Sequence, residues 1–411
     1  MRRFFLCTVC FLVLSLFASG QDDGFVSLMT VKDGDTWTDN GKPLNGWVKY
    51  GGEAGFSVEN GEIVGKRGEG DNTFLCTQKS YSNFVFKAEF KYDILCNSGV
   101  QFRSAVRDEN GGKKVFGYQY EIDESASAFG VVYDESRRNR WLETITKPQK
   151  EAMAAAYKKG EWNLLTIQCV GPVIKTYING VKIADQMDLE TDAGFFGLQI
   201  HAGGQGQVRW KNVRIKELPE TKWVAIYANK KLSDDLDIKP VGKWEVQDDG
   251  SLRGTTPDGE PRDGIIVTKT SYKDFAVKVD FKEVAGNSGL YFRASAVDKP
   301  YWLKGFQCEI APDGKVCAGL WEVEGRGWVK RNDEVAQKVF KGKDWNTIST
   351  VAIGDRLVTH LNGQTIVDII DPKCAKEGST GLQLHGGGNQ GCLFREYWIM
   401  PLDGADIGDI K

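Results

Sequence analysis

Apolar and polar residues alternate with a period of two in many short runs of this chain. Phe84-Val85-Phe86-Lys87-Ala88-Glu89-Phe90 is one such run, and Phe275-Ala276-Val277-Lys278-Val279-Asp280-Phe281 is another. Side chains leave a strand on alternate faces, so these runs predict strands with one buried face. Gly, Asn and Asp punctuate them. Asn179-Gly180 separates Thr-Tyr-Ile from Val-Lys-Ile, and Asn362-Gly363 sits in a like setting. Both predict two-residue hairpins, because a type I′ turn needs positive φ at its two central residues. One stretch, 150–158, has a helical pattern. Many short strands with few helices predict an all-β sandwich or barrel.

The pattern also repeats over a domain-sized interval. Asn97-Ser98-Gly99-Val100-Gln101-Phe102-Arg103 returns as Asn287-Ser288-Gly289-Leu290-Tyr291-Phe292-Arg293. Gly117-Tyr118-Gln119-Tyr120-Glu121-Ile122 returns as Gly305-Phe306-Gln307-Cys308-Glu309-Ile310. Trp162-Asn163 and Ile178-Asn179-Gly180 recur as Trp345-Asn346 and Leu361-Asn362-Gly363. Gly197-Leu198-Gln199-Ile200-His201 recurs as Gly381-Leu382-Gln383-Leu384-His385. Five matches in one order mean a duplicated domain rather than a solenoid. The seam falls near Leu218-Pro219-Glu220-Thr221. The expected division is a signal over 1–20, a first sandwich over 21–218 and a second over 222–401.

The first residues support that signal. Met1-Arg2-Arg3 precedes an apolar run from Phe4 to Phe17 and a small-residue site, Ala18-Ser19-Gly20. This is the pattern of a secretory leader, too short for a membrane span. The expected location is therefore outside the cytoplasm, periplasmic or secreted, with no membrane span. The formal charge of the whole chain is only −3. The leader carries two arginines and no acid, so its loss makes the charge more negative. No basic patch suggests nucleic acid as a partner. Seven cysteines follow the leader, without a C-x-x-C pair. Several occupy apolar strand positions, as Cys169 does, and read as buried free thiols. A disulfide, if formed, would best join Cys374 to Cys392.

Alternation assigns faces to the repeated motifs. Tyr118, Tyr120 and Ile122 share one face; Gln119, Glu121 and Asp123 share the other. Val100 and Phe102 oppose Gln101 and Arg103, and Leu198 and Ile200 oppose Gln199 and His201. If the three strands share a sheet, one side packs the core. The other is a polar wall with both charge signs and an imidazole, which suits a polyhydroxylated ligand. The plain alternative is a solvent-facing sheet. The chain has three histidines, and two of them, His201 and His385, hold the same repeat position. The run Tyr133-Asp134-Glu135-Ser136-Arg137-Arg138-Asn139-Arg140-Trp141 reads either as a solvated loop or as an edge that clamps a sugar. In the second reading Arg137 and Arg138 clamp while Trp141 stacks. Asn97-Ser98-Gly99 reads as a turn. Repeat two has Ala311 where repeat one has Asp123, so repeat one is the favoured site. No nucleophile elbow, P-loop or H-E-x-x-H motif occurs.

These residues, with Asn40-Gly41-Lys42-Pro43-Leu44-Asn45-Gly46-Trp47, carry a resemblance to the 3-keto-disaccharide hydrolase domain family. It covers nearly all of repeat one in order. Repeat two follows it less closely at 228–231 and after Ile310. The resemblance implies two tandem concanavalin A-like jelly-roll sandwiches, a carbohydrate substrate, and cleavage of glycosides bearing a ketone at C3. A ketone there acidifies the C2 proton and allows the C1 substituent to be eliminated. Such a route needs a base, an enolate stabiliser and an acid. The expected base is Glu121 or His201. Arg103, or a divalent metal held by Glu121, Asp123 and His201, would stabilise the enolate. Asp123, Gln101, Gln119 and Gln199 would orient hydroxyls, with Tyr133, Arg137, Arg138 and Trp141 at the edge. A conventional glycosidase using Glu121 and Asp123, a non-catalytic sugar-binding protein and a structural sandwich remain alternatives.

Overall fold

The computed structural model describes residues 24–410, apart from 126, 240 and 298–302. The expected leader, with Cys7 and Cys10, lies outside the described residues. Strands up to Gln207–Glu217 build two antiparallel sheets, and strands from Val224–Ala228 onward build two more. In repeat one the first sheet centres on Asn163–Val170, Phe84–Ile94 and Gln207–Glu217. The second runs in the order Ala128–Glu135, Gly112–Asp123, Ser98–Glu109, Phe195–Ile200, Thr73–Thr77, Trp47–Gly51 and Pro43–Leu44. The three motif strands are thus neighbours in one sheet. Repeat two copies the arrangement, with Gly264–Thr268, Ser379–Leu384, Ser288–Ala296 and Leu303–Ile310 in its second sheet.

The alternating runs explain the layers. Phe84, Phe86, Ala88 and Phe90 point inward from the first sheet and meet Val100, Phe102, Tyr118, Tyr120 and Leu198 of the second. Each such phenylalanine contributes about 1.5–3 kcal/mol by burial. The protein is therefore all-β, two tandem jelly-roll sandwiches. The Asn-Gly hairpins form as expected, with φ of 48° and 84° at Asn179 and Gly180. The helix spans Lys147–Ala156, starting earlier than its composition suggests. Thr146 and Gln149 close a reciprocal capping box there, which satisfies donors at the helix start. A second helix, Asp333–Val339, was not legible in the pattern. All seven described cysteines are free and buried, Cys374 and Cys392 included. Among the described residues no helix is long and apolar enough to cross a membrane.

The two sandwiches touch through their first sheets. Val173 and Met187 pack on Ala276, Val351, Val358 and Met400. Arg356 spans the seam, bonding Asp185 at 2.8 Å and Asp368 at 2.8 Å.

Alternation fails at one expected site residue. Arg103 has φ of 46°, and the register of its strand shifts on both sides. The left-handed residue resets the alternation, so Arg103 does not join Gln101 on the wall. Its guanidinium is 1% exposed and donates to Ser82 O at 2.9 and 2.7 Å, Gly171 O at 2.6 Å and Asn83 Oδ1 at 3.2 Å. Arg293 repeats the arrangement at φ 46°, on Lys273 O and Gly354 O. Arg103 is a buried clasp between loops, not an enolate stabiliser. A lysine cannot fan its donors over those acceptors. Arg103→Lys is expected to lower unfolding free energy by about 3 kcal/mol, read by urea titration. An unchanged urea midpoint would refute the clasp.

Candidate functional site

The outer face of the second sheet carries a chain of hydrogen bonds. In repeat one Ser104 Oγ donates to Gln101 Oε1 at 2.7 Å, and Gln101 Nε2 to Gln119 Oε1 at 2.8 Å. Gln119 Nε2 then donates to Glu121 Oε2 at 2.9 Å. Asn97 Nδ2 closes the other side, reaching Glu121 Oε1 at 2.7 Å and Asp123 Oδ2 at 3.1 Å. Amides point their N–H groups successively toward one carboxylate, so Glu121 is the terminal acceptor. The cross-strand register aligns Gln119 with Gln101, and Glu121 with Gly99.

Each member of the repeated Asn-Ser-Gly motif has a task, which the turn reading missed. Asn97 holds the carboxylates. Ser98 Oγ donates to Gln199 O at 2.7 Å, tying two motif strands together. Gly99 leaves room for the Gln119 side chain, which would lie 2.6 Å from a Cβ there. Repeat two copies all three: Asn287 Nδ2 meets Glu309 at 2.7 Å, Ser288 Oγ meets Gln383 O at 2.5 Å, and Gln307 lies over Gly289. Identical triplets at matched positions were the available signal.

The wall is far more buried than a solvent-facing sheet. Gln101, Gln119 and Gln199 are at most 2% exposed and Glu121 is 5% exposed. Burial pushes the Glu121 carboxyl up to about 7, against the lowering effect of the Gln119 and Asn97 N–H groups. Glu309 is likewise raised to about 7 by burial, although Asn287 and the His385 charge lower it. His201 Nδ1 lies 2.9 Å from the Ala202 carbonyl oxygen, which can only accept. Nδ1 therefore bears a proton, and Nε2 is the ring atom left open for proton exchange. His385 is held in the same way on Gly386 O at 2.6 Å. The His201 backbone N–H donates to Asn97 O at 3.3 Å, so Asn97 links the imidazole strand to the Glu121 carboxylate. Gln199 is the exception on the wall: neither amide atom has a hydrogen-bond partner.

Tyr133 pairs with Gln119 across the strands, and its ring meets Trp141 edge-on at 5.0 Å. These two border the wall as expected. Arg137 and Arg138 do not. Both bind the fully buried Asp134, and Arg138 also binds Asp188 at 2.9 Å. Arg137 stacks over the core-facing ring of Tyr118, 4.6 Å from its centroid. Arg138 continues to Gly363 O of repeat two at 3.0 Å. Two buried aspartates draw the arginines behind the sheet, into the seam between sandwiches. Asp123 is partly spent on a turn, accepting from Ser125 N at 2.9 Å and Ser125 Oγ at 2.6 Å.

The expected metal set does not fit. Among the described residues no three His, Cys, Asp or Glu side chains are grouped to hold an ion. Glu121 and Asp123 instead share the Asn97 amide, whose hydrogens occupy the space between them.

Glu121 and Glu309 should leave a mark on stability. Their folded values, about 7, lie above the ordinary glutamate range. Their contribution is full below about pH 4.5 and is lost as pH rises through 7. Between pH 5 and 8 the native chain should lose roughly 1–3 kcal/mol per group relative to Glu121→Gln/Glu309→Gln. Urea unfolding at both pH values measures this. Parallel losses in the two proteins would mean the carboxyls are not raised.

A model of the 3-keto-alpha-glucoside-1,2-lyase-like domain matches residues 35–216 and again 222–400. No curated protein matches. Among solved structures, a proposed glycosyl hydrolase from Parabacteroides distasonis is 21% identical, over 44% of this chain and 100% of its own, with a TM-score of 0.33. Carbohydrate binding module CBM66 from Bacillus subtilis is 19% identical, over 40% and 95%, with a TM-score of 0.32. A galectin-like protein of unknown function from Bacillus subtilis is 14% identical, over 44% and 97%, with a TM-score of 0.34. Matched twice, over most of its length, the chain belongs to the 3-keto-alpha-glucoside-1,2-lyase-like domain family.

Proposed function

We propose that repeat one cleaves glycosides whose sugar carries a ketone at C3. The observation that carries this reading is the buried Glu121 carboxyl, raised to about 7, with Asn97 bonded both to it and to the backbone of His201. A base of that strength is half ionised near neutral pH, which suits removal of a weakly acidic C–H proton. Glu121 takes the proton from C2, and the electron pair becomes an enolate with its charge on O3. The enolate re-forms the ketone as C1=C2 forms and the C1–O bond breaks. His201, as imidazolium, gives the departing oxygen its proton. Water adding across C1=C2 completes a net hydrolysis.

The uncommitted Gln199 amide is the wall donor suited to the ketone oxygen, once its carboxamide turns outward. Gln101 and Gln119 hold Glu121 in place rather than contacting substrate. Tyr133 and Trp141 offer ring faces to a pyranose. The steps run through side chains alone, since among the described residues no fitting metal-ligand set is formed. Export beyond the cytoplasm is part of the proposal, on the pattern of residues 1–20.

A second reading is sugar binding without turnover. It draws on the fact that both Glu121 oxygens already accept internal hydrogen bonds. A matched pair of chromogenic glucosides, one oxidised at C3 and one not, separates the two. Release is expected from the keto substrate alone, slower when C2 carries deuterium. The kcat/KM should climb through about pH 7 as Glu121 ionises. Equal release from both glucosides would point to a conventional glycosidase. Saturable binding without release would leave the binding reading.

A further inference from the structure

Repeat two has lost the acid at the Asp123 position, where Ala311 stands. Its wall nevertheless surrounds a cleft of about 360 Å³, with Glu309, Gln307, Gln383, His385 and two tryptophans around it. A second carboxylate enters from the opposite flank. Asp263 precedes the strand Gly264–Thr268, which pairs with Ser379–Leu384 just as Thr73–Thr77 pairs with Phe195–Ile200. Repeat one has Asn72 at that place: Asn72 Oδ1 accepts from Ala202 N at 2.9 Å, and Asp263 Oδ1 from Gly386 N at 2.8 Å. The acid pair has therefore been moved, not lost.

The move rewires the amides. Gln307 Nε2 donates to Gln383 Oε1 at 2.9 Å, and Gln383 Nε2 to Asp263 Oδ2 at 2.7 Å. Gln383 is thus satisfied where Gln199 is orphaned. Tyr291 replaces Gln101, so Gln307 has no neighbouring glutamine on that strand. The aromatic border is larger: Trp321 and Trp328 meet edge-on at 5.2 Å where repeat one has Tyr133 and Trp141. Trp328 remains 39% exposed, an indole face open to a sugar ring.

We infer that the cleft of the second sandwich is a second, independent site for a glycoside, with Glu309 as its base and Trp321 and Trp328 as its sugar platform. The base chemistry rests on the reading proposed for repeat one; the sugar site rests on the cleft and its tryptophans alone. His385 is held through Nδ1 as His201 is, which leaves Nε2 as the ring atom that can exchange a proton with a ligand. The step is the same: Glu309 takes the C2 proton, the C1–O bond breaks as C1=C2 forms, and the aglycone oxygen gains a proton from His385 as imidazolium.

The test uses the full chain as native protein, Glu121→Gln, Glu309→Gln and the double variant, with the chromogenic 3-keto-glucoside. Each single variant should retain roughly a tenth or more of native turnover, and the double variant about a hundredth or less. Glu121→Gln as inactive as the double variant would overturn catalysis in repeat two. Calorimetric titration of the double variant with the same glycoside reads the site itself. Two equivalents are expected, falling to one on adding Trp328→Ala, an exposed change that spares the core. One equivalent before that change would overturn the second site. Native protein that binds two equivalents without turnover would refute the keto-glycoside reading and leave the second sugar site standing.

Discussion

The hydrogen bonds from Asn97 and Gln119 to Glu121 are the constraint around which this face of the sheet is built. A carboxylate almost wholly removed from water is costly unless its oxygens are met by donors. The chain meets them with two amides, and every amide then needs its own partner. Gln119 is satisfied by Gln101, and Gln101 by Ser104. The glutamine side chain can cross to the next strand only because Gly99 has no Cβ. One buried acid thereby fixes residue types on two neighbouring strands. The balance between burial, which favours the neutral carboxyl, and the two donors, which favour the ion, holds Glu121 near 7.

The duplication shows which parts of that solution are obligatory. Asparagine, serine, glycine, glutamine, glutamate and histidine occur in both copies at matched positions, with matched bonds. The rest varies as linked sets. Where Gln101 becomes Tyr291, the amide chain turns toward Gln383, and an aspartate replaces Asn72 to receive it. Where Gln101 is present, Gln119 is satisfied and Gln199 is left without a partner. An unpartnered buried amide costs on the order of 1–3 kcal/mol. Repeat one bears that cost and repeat two does not, so repeat one has the wall that a ligand's own polar groups can complete.

Period-two alternation made the sandwich and most of the wall legible, because burial on one face constrains every second residue. Gln101, Gln119, Glu121 and Gln199 could be placed from it. It failed where the backbone left the pleat. Arg103 sits at positive φ, so its parity no longer reports its face. Arg137 and Arg138 could not be placed either, since Asp188, just past the strand Val181–Met187, is brought to Arg138 only by the fold, and the burial of Asp134 behind the sheet is not visible in a local charge run. Asp263 escaped for the same reason: it reaches Gln383 from far along the chain. Asn97 was visible as a repeated residue, but nothing in a turn-like triplet says that its amide faces two acids.

The seam between the sandwiches bears on the first site through the same arginines. Asp134 and Tyr133 are adjacent on one strand and point to opposite faces. Tyr133 borders the wall, while Asp134 is fully buried and ion-paired to Arg137 and Arg138. Arg138 also binds Asp188 and the Gly363 carbonyl of repeat two, and Arg140 binds that same carbonyl at 2.9 Å. The strand that carries Tyr133, and the loop leading to Trp141, are therefore pinned from behind by a turn of the second sandwich. That turn is the Asn362-Gly363 hairpin, whose left-handed geometry leaves its carbonyl free to accept. The main apolar contact runs through the first sheets, whereas the cleft of the second sandwich is lined from its second sheet. The second sandwich can then brace the aromatic edge of the first site while keeping a cleft of its own.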